Sequence, residues 1–303
     1  MRASLIRGHD KQWHRADAAP TATDMTTTLH APDAEAAASA AAAPPVPLPV
    51  LCFALGDLYG ATYVRRLYDM LARHCPRPFT LYCYTDRPRQ LPPEVVQRDC
   101  SGWTELEREG MRPTTRKLGI FNPAYVEFES FLYLDLTLVI RRDMNELLAF
   151  AFERPEPLVI VPSWYHEGGY NSSVMRVHGG ALKAVYDAFV AGERFVQNVA
   201  GDQDFILGVI RSRGLEDRIA RFPPHQVISF RKTLKAGGRD PAWARRRMEG
   251  ATIVKFHGRP KMNEAFSARY HWRLRLRELL RGCWQPVIPV GELRRQWHGS
   301  EAA

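Results

Sequence analysis

The stretch FLYLDLTLVIRRDM, residues 131–144, constrains the fold more than any other. Its apolar run ends at one acid, Asp135, and resumes after Thr137 with Leu138, Val139 and Ile140. A short run with aromatics and then β-branched residues suits a strand buried on both faces, in the middle of a mostly parallel sheet. A carboxylate at the end of such a strand sits where open α/β sheets bind ligands, beyond the carboxyl ends of the strands. An Asp there also serves as a simple turn cap, so the rest of the chain has to decide.

The preceding segments repeat the alternation. PVLCFAL (49–55) reads as a strand and GDLYG (56–60) as a turn. ATYVRRLYDMLARH (61–74) places Tyr63, Leu67, Met70 and Leu71 on one helical face. FTLYCYTD (79–86) is a second strand ended by Asp86 and Pro88. Strand, helix and strand in this order imply a βαβ unit with a parallel pair. GDLYG does not match GxGxxG, so no dinucleotide site is read there.

MRPTTRKLGIFN (111–122) predicts a helix after Pro113 with Thr114 as N-cap, carrying Arg116 and Lys117. A helix over 143–152 and a strand over 158–162 follow, and GGYNSSVMRV (168–177) is a glycine turn entering a strand. A helix over 181–191 precedes GDQDFILGVIRSRG (201–214), which opens with acids at a helix start. ATIVKFHGRPK (251–261) is a strand over 253–256 and a loop. The pattern predicts one α/β domain over 48–268, a mostly parallel central sheet flanked by helices.

Residues 1–47, Ala- and Pro-rich, have little to bury and are expected to be disordered. They show no secretory signal, and Asp10 and Asp17 argue against a transit peptide. No run reaches the roughly 18–20 apolar residues of a membrane span. The net charge of +9 favours an anionic partner, a nucleotide or an acidic membrane surface; no motif supports nucleic-acid binding. Five cysteines without CxxC spacing suggest reduced thiols and a cytoplasmic setting.

Four polar islands stand out: LDLT (134–137), YNSS (170–173), GDQD (201–204) and KFHGRPK (255–261). In this order, together with GDLYG and RKLGIF, they resemble the nucleotide-sugar glycosyltransferases of family 8 and their bacterial relatives. The resemblance covers about 50–265 and implies a GT-A fold. It also implies transfer of a hexose-type sugar from a nucleotide-sugar, UDP-linked by expectation, to a glycan or lipid-linked acceptor. Such transfer needs help for a leaving group that gains negative charge, from a divalent cation or from positive side chains.

By resemblance, Asp135 is the first acid of a DxD, and Asn171 and Ser173 border the donor sugar. Asp202 and Gln203 lie beside the anomeric carbon. Lys261 meets the diphosphate, Gly258 lets the backbone approach it, and Lys117 contacts the nucleotide or sugar. Each also has a plain reading: Asn171 and Ser173 in a tight turn, Asp202 and Asp204 as helix N-terminal acids, Lys117 as a solvated charge. Only the joint order of the islands lies beyond those readings.

Two positions depart from the family pattern. The second acid of DxD is Thr137, and Lys255 stands where the family has a metal-binding His. His257, two residues on, can share a strand face with Lys255. Either Asp135 and His257 hold Mn²⁺ or Mg²⁺, the version placed first, or Lys255 replaces the cation. Weak metal dependence is expected in both cases. The alternative function is a catalytically weak nucleotide-sugar-binding protein of the same fold. Nucleotidyl transfer ranks last, since the Gly-rich phosphate loop is missing.

Residues 269–303 form a basic amphipathic segment. Trp272, Leu276, Leu279, Leu280 and Cys283 follow helical spacing, with Arg273, Arg277 and Arg281 on another face. The favoured reading packs that apolar stripe on the core. The other docks it on an anionic membrane surface, with Trp284, Trp297 and Arg294–Arg295 in support.

Overall fold

A computed structural model of the protein describes residues 46–195 and 201–299. The expectation for the N-terminal tail falls almost wholly outside these residues. β1 (Leu48–Ala54) is apolar throughout and covered on both faces. α1 (Ala61–His74) buries Val64, Leu67, Met70 and Leu71 along one stripe. β2 (Phe79–Thr85) lies parallel to β1, and β3 (Val95–Asp99) extends that edge. β4 (Ser130–Leu134) returns to the other side of β1, again parallel, with Val50 opposite Leu132. The strand order therefore reverses at β1. The crevice beyond the carboxyl ends of β1 and β4 is where such sheets place ligands.

The chain continues through β5 (Leu138–Ile140), α2 (Asn145–Glu153), β6 (Leu158–Pro162), β7 (Tyr170–His178), α3 (Lys183–Val190) and α4 (Asp202–Ser212). Then come β8 (Ile219–Arg221), β9 (Val227–Ser229), α5 (Phe230–Gly237), α6 (Pro241–Gly250) and β10 (Ile253–Lys255). α7 (Met262–Ala265), α8 (Ala268–Leu279) and α9 (Val290–His298) complete it. The main sheet has the order β3-β2-β1-β4-β7-β6-β8, with β7 antiparallel to both neighbours. β5, β10 and β9 form a second sheet. The fold is thus the expected α/β domain with a mainly parallel central sheet flanked by helices.

The apolar run over 131–140 proves to be two strands in two sheets. β4 stops at Leu134, opposite Val174 of β7, and residues 135–137 carry the chain across to β5. Alternate residues of the main sheet feed two cores. Val50, Cys52, Leu132 and Leu134 face α1, α2 and the second sheet; Leu51, Phe131 and Tyr133 face α3 and α4.

Residues 113–121 form a 3-10 helix that starts at Pro113, one residue before the expected N-cap Thr114, and its N-cap residue Arg112 makes no capping bond. Lys117, Leu118, Gly119, Ile120 and Phe121 are all buried. Gly119 lies so close to Trp103 that an added Cβ would come within 2.5 Å of the indole. A segment buried all round has no outward face to show amphipathic spacing.

The C-terminal segment departs from expectation twice. α9 joins the core: Trp297 is buried, its ring 5.1 Å from Tyr63 of α1, and Glu292 pairs with Arg141. Trp297 therefore leaves the set that could meet a membrane. α8 turns its apolar stripe outward. Trp272 is 65% exposed and Leu280 79%, while Leu274 and the carboxylate Glu278 are buried. Glu278 accepts from Arg275 and from the Val287 amide.

Arg176 of β7 is fully buried and donates to the carbonyls of Ala151, Arg154 and Glu156, around the end of α2. Helix C-terminal carbonyls lack helical partners, and this guanidinium supplies three donors at once. Arg176→Met leaves those carbonyls without it. The expected loss is roughly 3 kcal/mol, read as a melting midpoint lower by about 6–12 °C.

Candidate active site

Asp135 follows the last residue of β4, and its backbone N–H donates to the Ser173 carbonyl of β7 at 2.9 Å. That bond fixes where its side chain emerges. The carboxylate is 26% exposed and both oxygens are engaged. Oδ1 accepts from the Tyr133 hydroxyl at 2.7 Å and from Lys117 at 3.3 Å. Oδ2 meets the Lys255 ammonium at 2.5 Å. Burial would raise the Asp135 pKa, but Lys117 and Lys255 overcome it and hold the carboxyl well below the usual carboxylate range.

Lys255 reaches this point from the second sheet. It pairs with Leu138 of β5 and Ser229 of β9. Its ammonium also donates to the Thr137 hydroxyl, so it bridges both polar residues of the D-x-T crossing. It is 4% exposed. Burial depresses its pKa, Asp135 opposes that, and the Lys117 charge adds to it.

Lys117 is buried too, not solvated. Its ammonium lies 2.8 Å from Asp202 Oδ2 and donates to the Ser172 hydroxyl at 3.0 Å and carbonyl at 3.2 Å. Burial would lower its pKa, yet Asp135 and Asp202 together raise it. Asp202, the first residue of α4, also accepts from the Ser172 hydroxyl. Two lysines and two aspartates thus form one connected network at the carboxyl end of β4.

Beside it, Asn171 donates to Gln203 Oε1 at 3.1 Å, and both side chains are partly exposed. Ser173 is 1% exposed and its hydroxyl donates to Asn171 Oδ1. Asp135, Thr137, Lys117, Lys255, Asp202, Asn171, Ser173 and Gln203 therefore come together. His257, Gly258 and Lys261 are not bonded directly into the network among the described residues. His257 meets Ser229 at 2.6 Å and stacks on Trp164 at 5.3 Å. Burial and the charges of Lys255, Arg231 and Lys232 bring its pKa down to about 4. Gly258 has φ +65, the left-handed region that favours glycine. Lys261 is exposed at the start of α7.

A cleft of about 370 Å³ opens past the ends of β1 and β2, lined by Gly56, Asp86, Arg108, Arg112 and Arg116 among others. Asp86 accepts from the Gly56 amide at 2.8 Å and from Arg89 at 2.9 Å. Acids and arginines both line the cleft: Arg116 pairs with Glu107, and Arg108 donates to the carbonyls of Phe189 and Glu193.

The donor set does not fit a divalent metal. Among the described residues no group of three His, Cys, Asp or Glu side chains could hold one. Both Asp135 oxygens face ammonium groups, and His257 faces Ser229 and Tyr165. A dication about 4 Å from one ammonium is repelled by roughly 8 kcal/mol at an effective dielectric near 20. The pairing of Asp135 with His257 finds no support in this geometry.

No protein-family model matches the sequence, and no curated protein does. Solved structures do match in fold. The galactosyltransferase LgtC, in complex with donor and acceptor sugar analogs, aligns with TM-score 0.54 over 83% of this chain and 95% of its own, at 12% identity. The bifunctional glycosyltransferase WbbM aligns with TM-score 0.50 over 74% of this chain and 47% of its own, at 11% identity. The glycosyltransferase GlyE of Streptococcus pneumoniae TIGR4 aligns with TM-score 0.49 over 84% and 64%, at 17% identity. The chain shares the GT-A fold with LgtC and WbbM.

Ser172 lies inside the YNSS island but without an assigned role, and Tyr133 stands two residues before Asp135; only the three-dimensional contacts reveal what they do. Lys117→Met strands the buried Asp202 carboxylate and removes one of the two counter-charges of Asp135. The expected cost is about 3–5 kcal/mol, measured by urea denaturation.

Proposed function

We propose that the protein is a glycosyltransferase that takes a sugar from a nucleotide diphosphate donor, UDP-linked by preference, and is akin to the family 8 enzymes. The observation that carries this reading is the network of Asp135, Lys117, Lys255 and Asp202 at the switch point of a GT-A fold. In this reading the cleft takes the nucleoside end and the ammonium groups face the diphosphate. Gln203 and Asn171, partly exposed and bonded to each other, line the sugar pocket. Asp202, at 6% exposure and engaged by Lys117 and Ser172, acts as a positioning residue behind them. Holding donor and acceptor together lowers the barrier by proximity, and fixed positive charge meets the charge that develops on the leaving diphosphate.

The tests are binding and transfer. A thermal-shift screen of UDP, GDP, CMP and TDP sugars should show stabilisation by one nucleotide class. Asp135→Asn should abolish transfer with the fold retained. Gln203→Ala should lower kcat more than it raises KM, the sign of a group that acts on the transition state. Equal losses would mean that Gln203 only binds. The second reading, nucleotide-sugar binding without transfer, draws on Lys255 in contact with Asp135 and Thr137. Stabilisation without release of free nucleotide or sugar from any donor would favour it.

The acceptor is proposed to be a glycan or lipid-linked sugar reached at the inner, anionic face of a membrane. Among the described residues no helix is long and apolar enough to cross a membrane. α8 and the turn after it expose Trp272, Leu276, Leu280 and Trp284 next to Arg273, Arg277 and Arg281. Trp, Leu and Arg on one surface suit the headgroup region. The protein should co-sediment with vesicles of phosphatidylglycerol and not with phosphatidylcholine alone. Leu280→Ser with Trp284→Ser should lose that binding without changing the melting midpoint.

A further inference from the structure

Lys255 has three N–H donors. Its partners are Asp135 Oδ2 and the Thr137 hydroxyl, both on the crossing between the two sheets. The residue is 4% exposed, and among the described residues no third acceptor meets its ammonium. Asp135, by contrast, keeps 26% of its side chain open. The ammonium is thus seated on the residues that would otherwise hold a cation, with one donor left, beside the open edge of the site.

Resting on the nucleotide-diphosphate reading, we propose that Lys255 is a built-in counter-cation. It takes the place of a divalent metal, and its remaining N–H holds a phosphate oxygen of the donor. β10 carries it there: antiparallel pairing with β5 sets Lys255 opposite Leu138, the residue after Thr137. Lys117 is the second positive group of the site, already shared by Asp135, Asp202 and Ser172. A cation bound to Asp135 would have to displace Lys255 from it. A covalently tethered charge needs no free metal and costs no dissociation. It also gives a single point charge, not the several coordination sites of an ion.

The test is calorimetric titration of the native protein with UDP, GDP, CDP, TDP and inorganic pyrophosphate, in excess EDTA and again in excess Mn²⁺. The expected result is binding of one or more probes with the same Kd in both conditions, and no saturable uptake of Mn²⁺ titrated alone. Lys255→Met should weaken binding about tenfold or more in both conditions, the scale of one lost charged hydrogen bond. Lys255→Arg should retain metal-independent binding, which separates loss of charge from loss of fold. The double change Thr137→Asp with Lys255→His should bind poorly in EDTA and recover in Mn²⁺. Binding by the native protein only with Mn²⁺, or unchanged binding by folded Lys255→Met, overturns the built-in cation and leaves the glycosyltransferase reading standing. Failure of every probe to bind in either condition overturns both.

Discussion

The Asp135 carboxylate needs two ammonium groups, and much of the molecule is arranged to deliver them. A carboxylate at the end of a covered strand loses water, and an uncompensated buried ion costs several kcal/mol. Lys117 arrives from a 3-10 helix on one side of the main sheet, Lys255 from a strand of the second sheet. Lys117 is buried in turn and calls for Asp202 at the start of α4. Two positive and two negative charges close the set. Each element that contributes one is held to the others by that balance, so the network ties the two sheets together as well as forming the site.

The contact also gives Thr137 a role. Its hydroxyl accepts from the Lys255 ammonium, and that ammonium offsets the Asp135 charge. An acid at position 137 would put a further negative charge beside Asp135, where two ammonium groups are already balanced by Asp135 and Asp202.

Most of the architecture was legible because strands buried on both faces announce themselves as continuous apolar runs. β1, β2, β4 and β6 appear within a residue or two of their expected bounds. Asp135, Thr137, Asn171, Asp202, Gln203 and Lys255 were marked by abutting those runs, and the structure gathers them. The break at Asp135 shows in the sequence, but not that Leu138, Val139 and Ile140 join a second sheet, because they are as apolar as the strand before them. Sequence gives no sign of which sheet a run joins. The burial of Lys117 was hidden for a related reason. A charge inside a segment buried all round has no solvated face to contrast with, and its partners lie 18 and 85 positions away.

α8 shows the same limit from the other direction. Helical spacing separates its residues into two faces, but it carries no information about which one meets the core. The inward face holds Leu274 and Glu278, and the carboxylate is tolerated because Arg275 and the Val287 amide satisfy it. That polar anchor fixes the segment after α8, where Val287, Ile288 and Val290 enter the core and lead into α9. α9 takes the apolar surface of α1 through Tyr63 and Trp297, while α8 reaches the core through Leu274. Its outward stripe leaves Trp272, Leu276 and Leu280 exposed, with Arg273 and Arg277 beside them.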